Sequence, residues 1–323
     1  MKRLLFIIML GLALVSSNEC LAAIASGTSG TCKWEISDDG VLTIQPSNGK
    51  EGELDSWGWS SNKAYIKKVV FKNTVKIKSC NSLFSYYPEL TNVDLTGLNT
   101  ENVSDMSFMF NNCIKLKTVL VGTLNTSNVR NMKCMFQACE ALKTVDVSKF
   151  NTSKVINMSW MFYGCKSITK LDVSNWDTRN VTTMHCLFYD CISVETLDVS
   201  RFNTSKVTDM AWVFNHCKLL TKIDVSNWDI GNVTNMHCMF QYCESLKTLD
   251  VSKFNTSKVT NMNRVFLGCN SVTKLNVSNW DTSNVTDLHG IFNRCYLLTE
   301  IDLSKFNTNR VEDMACMFYK CRS

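Results

Sequence analysis

Apolar side chains recur along this chain in a frame of 26 residues. The frame is marked by Cys113, Cys139, Cys165, Cys191, Cys217, Cys243, Cys269, Cys295 and Cys321, each 26 residues after the one before. In that phase nine units fill residues 90–323 with no insertion or deletion. The unit at residues 142–167 reads LKTVDVSKFNTSKVINMSWMFYGCKS; numbered 1 to 26, its apolar positions are 1, 4, 6, 9, 14, 17, 20 and 21, with the cysteine at 24. Alternation through positions 4, 6 and 8, with β-branched residues, predicts a short strand. The spacing by three and four from position 14 to position 24 predicts a short helix. Position 10 is Asn or Asp in every unit, from Asn99 to Asn307. A side chain that accepts hydrogen bonds suits a corner there, because it satisfies backbone N–H groups that the turn leaves unpaired.

One unit therefore reads as strand, corner, short helix and return, which is the leucine-rich-repeat plan. The fold class predicted is an α/β repeat solenoid, with a parallel β-sheet on one face, short helices on the other and a small β-rich N-terminal cap. A lone unit cannot bury enough apolar surface to offset the entropy of ordering it, so units stabilise one another by stacking in register. A second period overlies the first. Position 9 alternates Phe150, Trp176, Phe202, Trp228, Phe254, Trp280, Phe306, and position 18 carries His185, His237 and His289. Duplication of a two-unit block accounts for both without a functional reason.

Three segments are expected: a signal peptide at 1–25, a cap with a degenerate first repeat at 26–89, and the nine repeats at 90–323. Lys2 and Arg3 precede an apolar run at residues 4–15, and Ala23-Ile24-Ala25 offers an A-x-A cleavage site. The run is too short to span a bilayer, and no later stretch is long enough, so the mature chain is expected to lack a transmembrane segment. Lipidation at Cys20 is disfavoured because Glu19 precedes it. In the cap, Asp38-Asp39-Gly40 and Ser47-Asn48-Gly49 are turn signals, and residues 41–44 and 66–71 are strand-like. Leu83-Phe84 falls in phase with Phe110, with Tyr87 at the cysteine position. A cap is physically required where the first unit would expose an apolar end and a strand edge. No comparable cap precedes Ser323, so a partner or a further segment is expected to cover that end.

Composition narrows the function. The chain has 323 residues, 45% of them apolar, and a net charge of +5 that falls to +4 without Lys2, Arg3 and Glu19. That charge is too mild and too interspersed for a nucleic-acid partner. Only four histidines are present. His185, His237 and His289 sit two rungs apart, roughly 10 Å, too far to share one ion. No metal, cofactor or catalytic residue is predicted. The position-24 cysteines form a column with a structural role, either as buried thiols or as disulfides between neighbouring rungs. Cys32 and Cys80 are open to a bridge in the cap.

The solvent face of the sheet is the candidate binding surface. Position 5 supplies Asp146, Asp172, Asp198, Asp224 and Asp250, interrupted by Leu120 and Asn276. Cations form a checkerboard around them: Lys170, Lys222 and Lys274 at position 3, Lys149, Arg201 and Lys253 at position 8. Like charges about 4.8 Å apart repel, so the lysines and arginines are expected to neutralise the aspartates. The same array is the candidate ligand site.

The run LDVSKFNTSKVTNM at residues 249–262, then VFLGC at 265–269, and the cap stretches GTCKWEISDDGVLTI and SWGWSSNKAYIKKVVF resemble the BspA-like leucine-rich-repeat surface proteins. The resemblance spans nearly all of the mature chain. It implies a secreted or surface-attached binding protein of adhesin type, with an extracellular protein or glycan as ligand and no catalytic residues. Two other classes compete: a secreted enzyme acting on polysaccharide, and a purely structural surface spacer.

Overall fold

The computed structural model describes residues 23–122 and 124–322; residues 1–22 of the predicted leader, Cys20 among them, lie outside the described residues, whereas Ala25 of the predicted cleavage site opens the first strand. Strands β1 (Ala25–Ser29), β2 (Cys32–Ile36) and β3 (Val41–Pro46) form an antiparallel meander. Gly40 and Gly49, at the two turn signals, have φ of 83° and 73°, a region that glycine enters freely. The sheet then turns parallel through β5 (Lys68–Phe71), β7 (Asn92–Asp94), β9 (Thr118–Leu120) and β10 (Thr144–Val145). Leu42, Val69, Val93, Val119 and Val145 are in register across it. A second parallel sheet joins β4 (Glu51–Glu53), β6 (Thr74–Lys76) and β8 (Leu98–Asn99). Beyond β10 the main ladder narrows to single bridges at position 3, including Lys170 to Thr196 and Thr196 to Lys222.

Each rung is a three-sided coil, and an Asx hydrogen bond makes its corners, except at Leu120 and at Thr183, whose hydroxyl accepts in place of an Asx side chain. In the fifth unit, Asp198 Oδ1 accepts from Ser200 N, Asn203 Oδ1 from Ser205 N, and Asp209 Oδ1 from Ala211 N. Position 10 thus does what its chemistry predicts, and positions 5 and 16 do the same. The second side carries a ladder of its own, bridged at position 16 from Asp105 to Asp313.

The predicted short helices are not there. Among the described residues no α-helix occurs, and the one helical stretch is a 3₁₀ turn at Ser60–Asn62 in the cap. Positions 16 to 24 are instead a chain of tight turns. In the fifth unit Val213 N, Asn215 N and Cys217 N bond the carbonyls of Met210, Trp212 and Phe214, three residues back. The alternate amides, of Met210, Trp212, Phe214 and His216, point to the next rung and bond Asn235, His237, Met239 and Gln241. An α-helix would consume those donors within the rung. Positions 19 and 23 also lie in the left-handed region, as at Trp212 (φ 66°) and His216 (φ 59°), which no α-helix contains. These overlapping turns bury Met210, Val213, Phe214 and Cys217, so they produce the same apolar spacing as a helix.

The core runs the length of the coil. Phe84, Phe110, Phe136, Phe162, Phe188, Phe214, Phe240, Phe266, Phe292 and Phe318 stack with centroids 5.5–6.0 Å apart. The Trp alternation at position 9 has a bonding role: Trp176, Trp228 and Trp280 donate Nε1–H to the carbonyls of Val147, Val199 and Val251 in the rung before.

Candidate ligand-binding face

The strand side sets positions 4 and 6 inward and positions 3, 5 and 8 outward. Asp146, Lys149, Lys170, Asp172, Asp198, Arg201, Lys222, Asp224, Asp250, Lys253 and Lys274 are all exposed on it. The structure therefore brings the predicted site residues to one surface. At mid-solenoid a shallow groove of about 520 Å³ is lined by Thr196, Leu197, Asp198, Ser200, Lys222, Ile223, Asp224, Thr248 and Asp250. Leu120, 54% exposed, interrupts the acidic column near the cap.

The means of neutralisation differs from the sequence expectation. None of the ion pairs found among the described residues joins a position-5 carboxylate to a lysine or arginine of the checkerboard. Each aspartate is held instead by the serine two residues on. Ser148, Ser200 and Ser252 donate both N–H and Oγ–H to Oδ1 of Asp146, Asp198 and Asp250, with Oγ at 2.6–2.7 Å. The serine hydroxyl and then its amide are what hold these carboxyls below the usual range, and Lys149, Arg201 and Lys253 contribute last. A charge that is hydrogen-bonded locally does not need an ion pair. The face is thus a grid of oriented carboxylates and cations that, among the described residues, form no ion pair with one another.

The position-24 thiols are free, as are Cys32 and Cys80. Each donates to the Phe carbonyl one rung back, as Cys217 does to Phe188 O at 3.3 Å and Cys243 to Phe214 O at 3.1 Å. Burial pushes their titration upward, to about 12 for Cys113 and Cys295 and further along the middle of the column. A small side chain with one weak donor fits this position, and protonated thiols of this kind are inert.

His185 Nδ1 lies 3.0 Å from Asp209 Oδ2 and His289 Nδ1 lies 3.3 Å from Asp313 Oδ2, whereas His237 Nε2 contacts Cys238 Sγ. Among the described residues no three His, Cys, Asp or Glu side chains converge on a common point. The turn side also carries a half-buried aromatic ridge: Trp160, Tyr163, Tyr189 and Trp212 touch in sequence, with centroids 4.9–5.2 Å apart. Enrichment of positions 19 and 22 in aromatics is its signal in the sequence, hidden there by the helical reading.

The family described as "Mycoplasma protein of unknown function, DUF285" matches residues 78–194, 158–249 and 243–323. Its match and the 26-residue rung agree with the resemblance to BspA-like surface proteins. Among solved structures, a leucine-rich repeat protein from Eubacterium ventriosum is 18% identical over 94% of this chain and 96% of that one, with a TM-score of 0.40. A leucine rich cell surface protein from Faecalibacterium prausnitzii is 15% identical over 88% and 96%, with a TM-score of 0.24. No curated protein sequence matches the chain.

Proposed function

The chain belongs to the DUF285 family, and we propose that it is an exported or cell-surface repeat protein whose strand face binds an extracellular protein or glycan. The observation that carries this reading is the mid-solenoid groove walled by Asp198, Lys222, Asp224 and Asp250. In a solenoid the strand face is where side chains of successive units form one unbroken array, and such extended faces are what repeat proteins bind with. The serine clamps leave the carboxylates oriented before a ligand arrives, which lowers the ordering cost of binding. The 26-residue unit recurs through residues 90–323 without an inserted loop, so binding rather than turnover is the activity assigned. Export rests on the leader read from residues 1–25; among the described residues no helix is long and apolar enough to cross a membrane.

The test starts from saturable binding of the mature chain to a panel of purified matrix proteins free of acidic glycans and an array of neutral glycans. Exposed charge pairs contribute about 0–1 kcal/mol each to folding, whereas a central interface contact is worth about 2 kcal/mol or more. Arg201→Glu with Lys222→Glu is therefore expected to abolish that binding while the thermal melt moves little. Lys206→Glu with Lys258→Glu, beyond the second corner, is the control. Loss with the control pair and retention with the strand pair would refute the strand-face assignment.

A further inference from the structure

The side between the second and third corners carries a different charge pattern from the strand face. Position 13 alternates an amide with a cation: Asn128, Lys154, Asn180, Lys206, Asn232, Lys258, Asn284, Arg310. Each cation reaches back one rung to the amide oxygen, Lys154 to Asn128 at 2.7 Å, Lys206 to Asn180 at 2.8 Å, Lys258 to Asn232 at 2.7 Å and Arg310 to Asn284 at 2.8 Å. Each amide in turn donates Nδ2–H to a carbonyl one rung further back, as Asn180 does to Ser153 O and Asn232 to Ser205 O. An amide positions an ammonium without cancelling its charge. None of the ion pairs found among the described residues engages Lys154, Lys206 or Lys258.

Positions 12 to 15 hold no carboxylate in any unit from Ser127 to Thr286. The acidic residues at the borders of this strip have partners of their own: Asp177 pairs with Arg179, Asp209 with His185, Asp229 and Asp281 accept from Gly231 N and Ser283 N, and Asp287 accepts from Asn263 Nδ2. Between Arg130, Lys154, Ile156, Asn180, Thr182 and Lys206 lies an open groove of about 420 Å³. Exposed Thr182, Thr208, Thr234 and Thr260 continue the line alongside the cations.

We infer that this row is a second binding site, for an extended acidic polysaccharide with one anionic group per disaccharide, laid along the solenoid axis. Lys154, Lys206 and Lys258 recur every second rung, roughly 10 Å apart, so a chain with an anion on every second sugar meets one cation per repeat. The position-15 hydroxyls donate to carbonyls one rung back, which leaves their oxygens to accept from sugar hydroxyls, and the Ile156 side chain supplies apolar contact. A nucleic acid fits the row poorly. Duplex DNA carries a charge about every 1.7 Å, and single strands are held by aromatic platforms interleaved with cations, which positions 12 to 15 lack.

The experiment measures binding of hyaluronan dodecasaccharide to the mature chain across a salt series, beside neutral dextran and oligo-dT. Saturable binding to hyaluronan and none to dextran is expected. Lys154→Ala, Lys206→Ala and Lys258→Ala together should weaken it by about tenfold or more and flatten its salt dependence, because exposed charge contacts are what salt screens. The triple Lys→Arg variant should bind like wild type, and Arg201→Ala with Lys222→Ala, on the strand face, should leave hyaluronan binding unchanged whether or not the strand face has its own ligand. Absence of saturable binding, equal loss with the strand-face pair, or tighter binding of oligo-dT than of hyaluronan would each overturn the assignment.

Discussion

Thr152 joins two rungs with one hydroxyl. Its Oγ1 donates to Asp177 O at 3.0 Å and accepts from Asp177 N at 2.8 Å, and the residue is buried. The column Thr100, Thr126, Thr152, Thr178, Thr204, Thr256, Thr282 repeats the bond to the next corner. Ile230 alone replaces it between the second and eighth units. Thr152→Val keeps the shape but strands a buried N–H and C=O, and should cost about 1–3 kcal/mol. Ile230→Thr should be close to neutral, because the new hydroxyl offsets the lost ethyl group. Urea midpoints of the two variants check this; equal losses would mean that the hydroxyl bonds carry no weight. The role of position 10 was legible at this scale because an Asn or Asp at a pattern break has few other uses. The partner of position 5 was not. Asp198 has both Ser200 and Arg201 within reach in sequence, and only the backbone bend selects the serine.

The turn column is the element the sequence misassigned, and two glycines distinguish turn from helix by sign. Gly164 has φ 71°, with the nearest neighbour of an added Cβ at 3.5 Å. In a helix Gly→Ala would stabilise by up to about 1 kcal/mol. In the left-handed turn Gly164→Ala should instead destabilise, by about 1 kcal/mol. Gly268→Ala should cost more, because its Cβ would collide with the Tyr242 ring, and adding Tyr242→Ala should recover the difference. Thermal melts of these variants settle the sign; stabilisation by Gly164→Ala would restore the helix. Spacing alone could not separate the two. A helix and a run of three-residue turns bury the same positions, and they differ only in whether alternate amides bond within the rung or across to the next.

For the whole molecule, the thiol column links stability to alkaline pH. From Cys113 to Cys295 the folded thiols titrate above their ordinary value of 9.0 because burial penalises the thiolate. A group raised on folding contributes stability that is complete below its unfolded value and is lost as pH rises toward its folded one. Unfolded thiols ionise above pH 9 while the folded ones stay neutral, so each costs about 1 kcal/mol per pH unit there. The urea midpoint should be flat between about pH 7 and 8 and fall steeply above 9. An unchanged midpoint at high pH would show that the column is not buried as thiols. Native protein should likewise react with Ellman's reagent at exposed Cys316 and little along the column, and along the whole column after denaturation without reductant. Unreactive denatured protein would mean disulfides.

The length of the rung, the inward side chains at positions 4 and 6, the corner at position 10 and the inward cysteines follow from the sequence by itself. Each is a statement about which positions face the core, and periodic burial repeated over nine units leaves only one register. The conformation of positions 16 to 24, the serine clamps on the acidic column and the uncompensated row of Lys154, Lys206 and Lys258 were decided by the tertiary structure. All three depend on where a donor points, within the rung or toward a residue 24 to 29 positions away. Composition and spacing are the same for both directions, and only the stacked coil chooses between them.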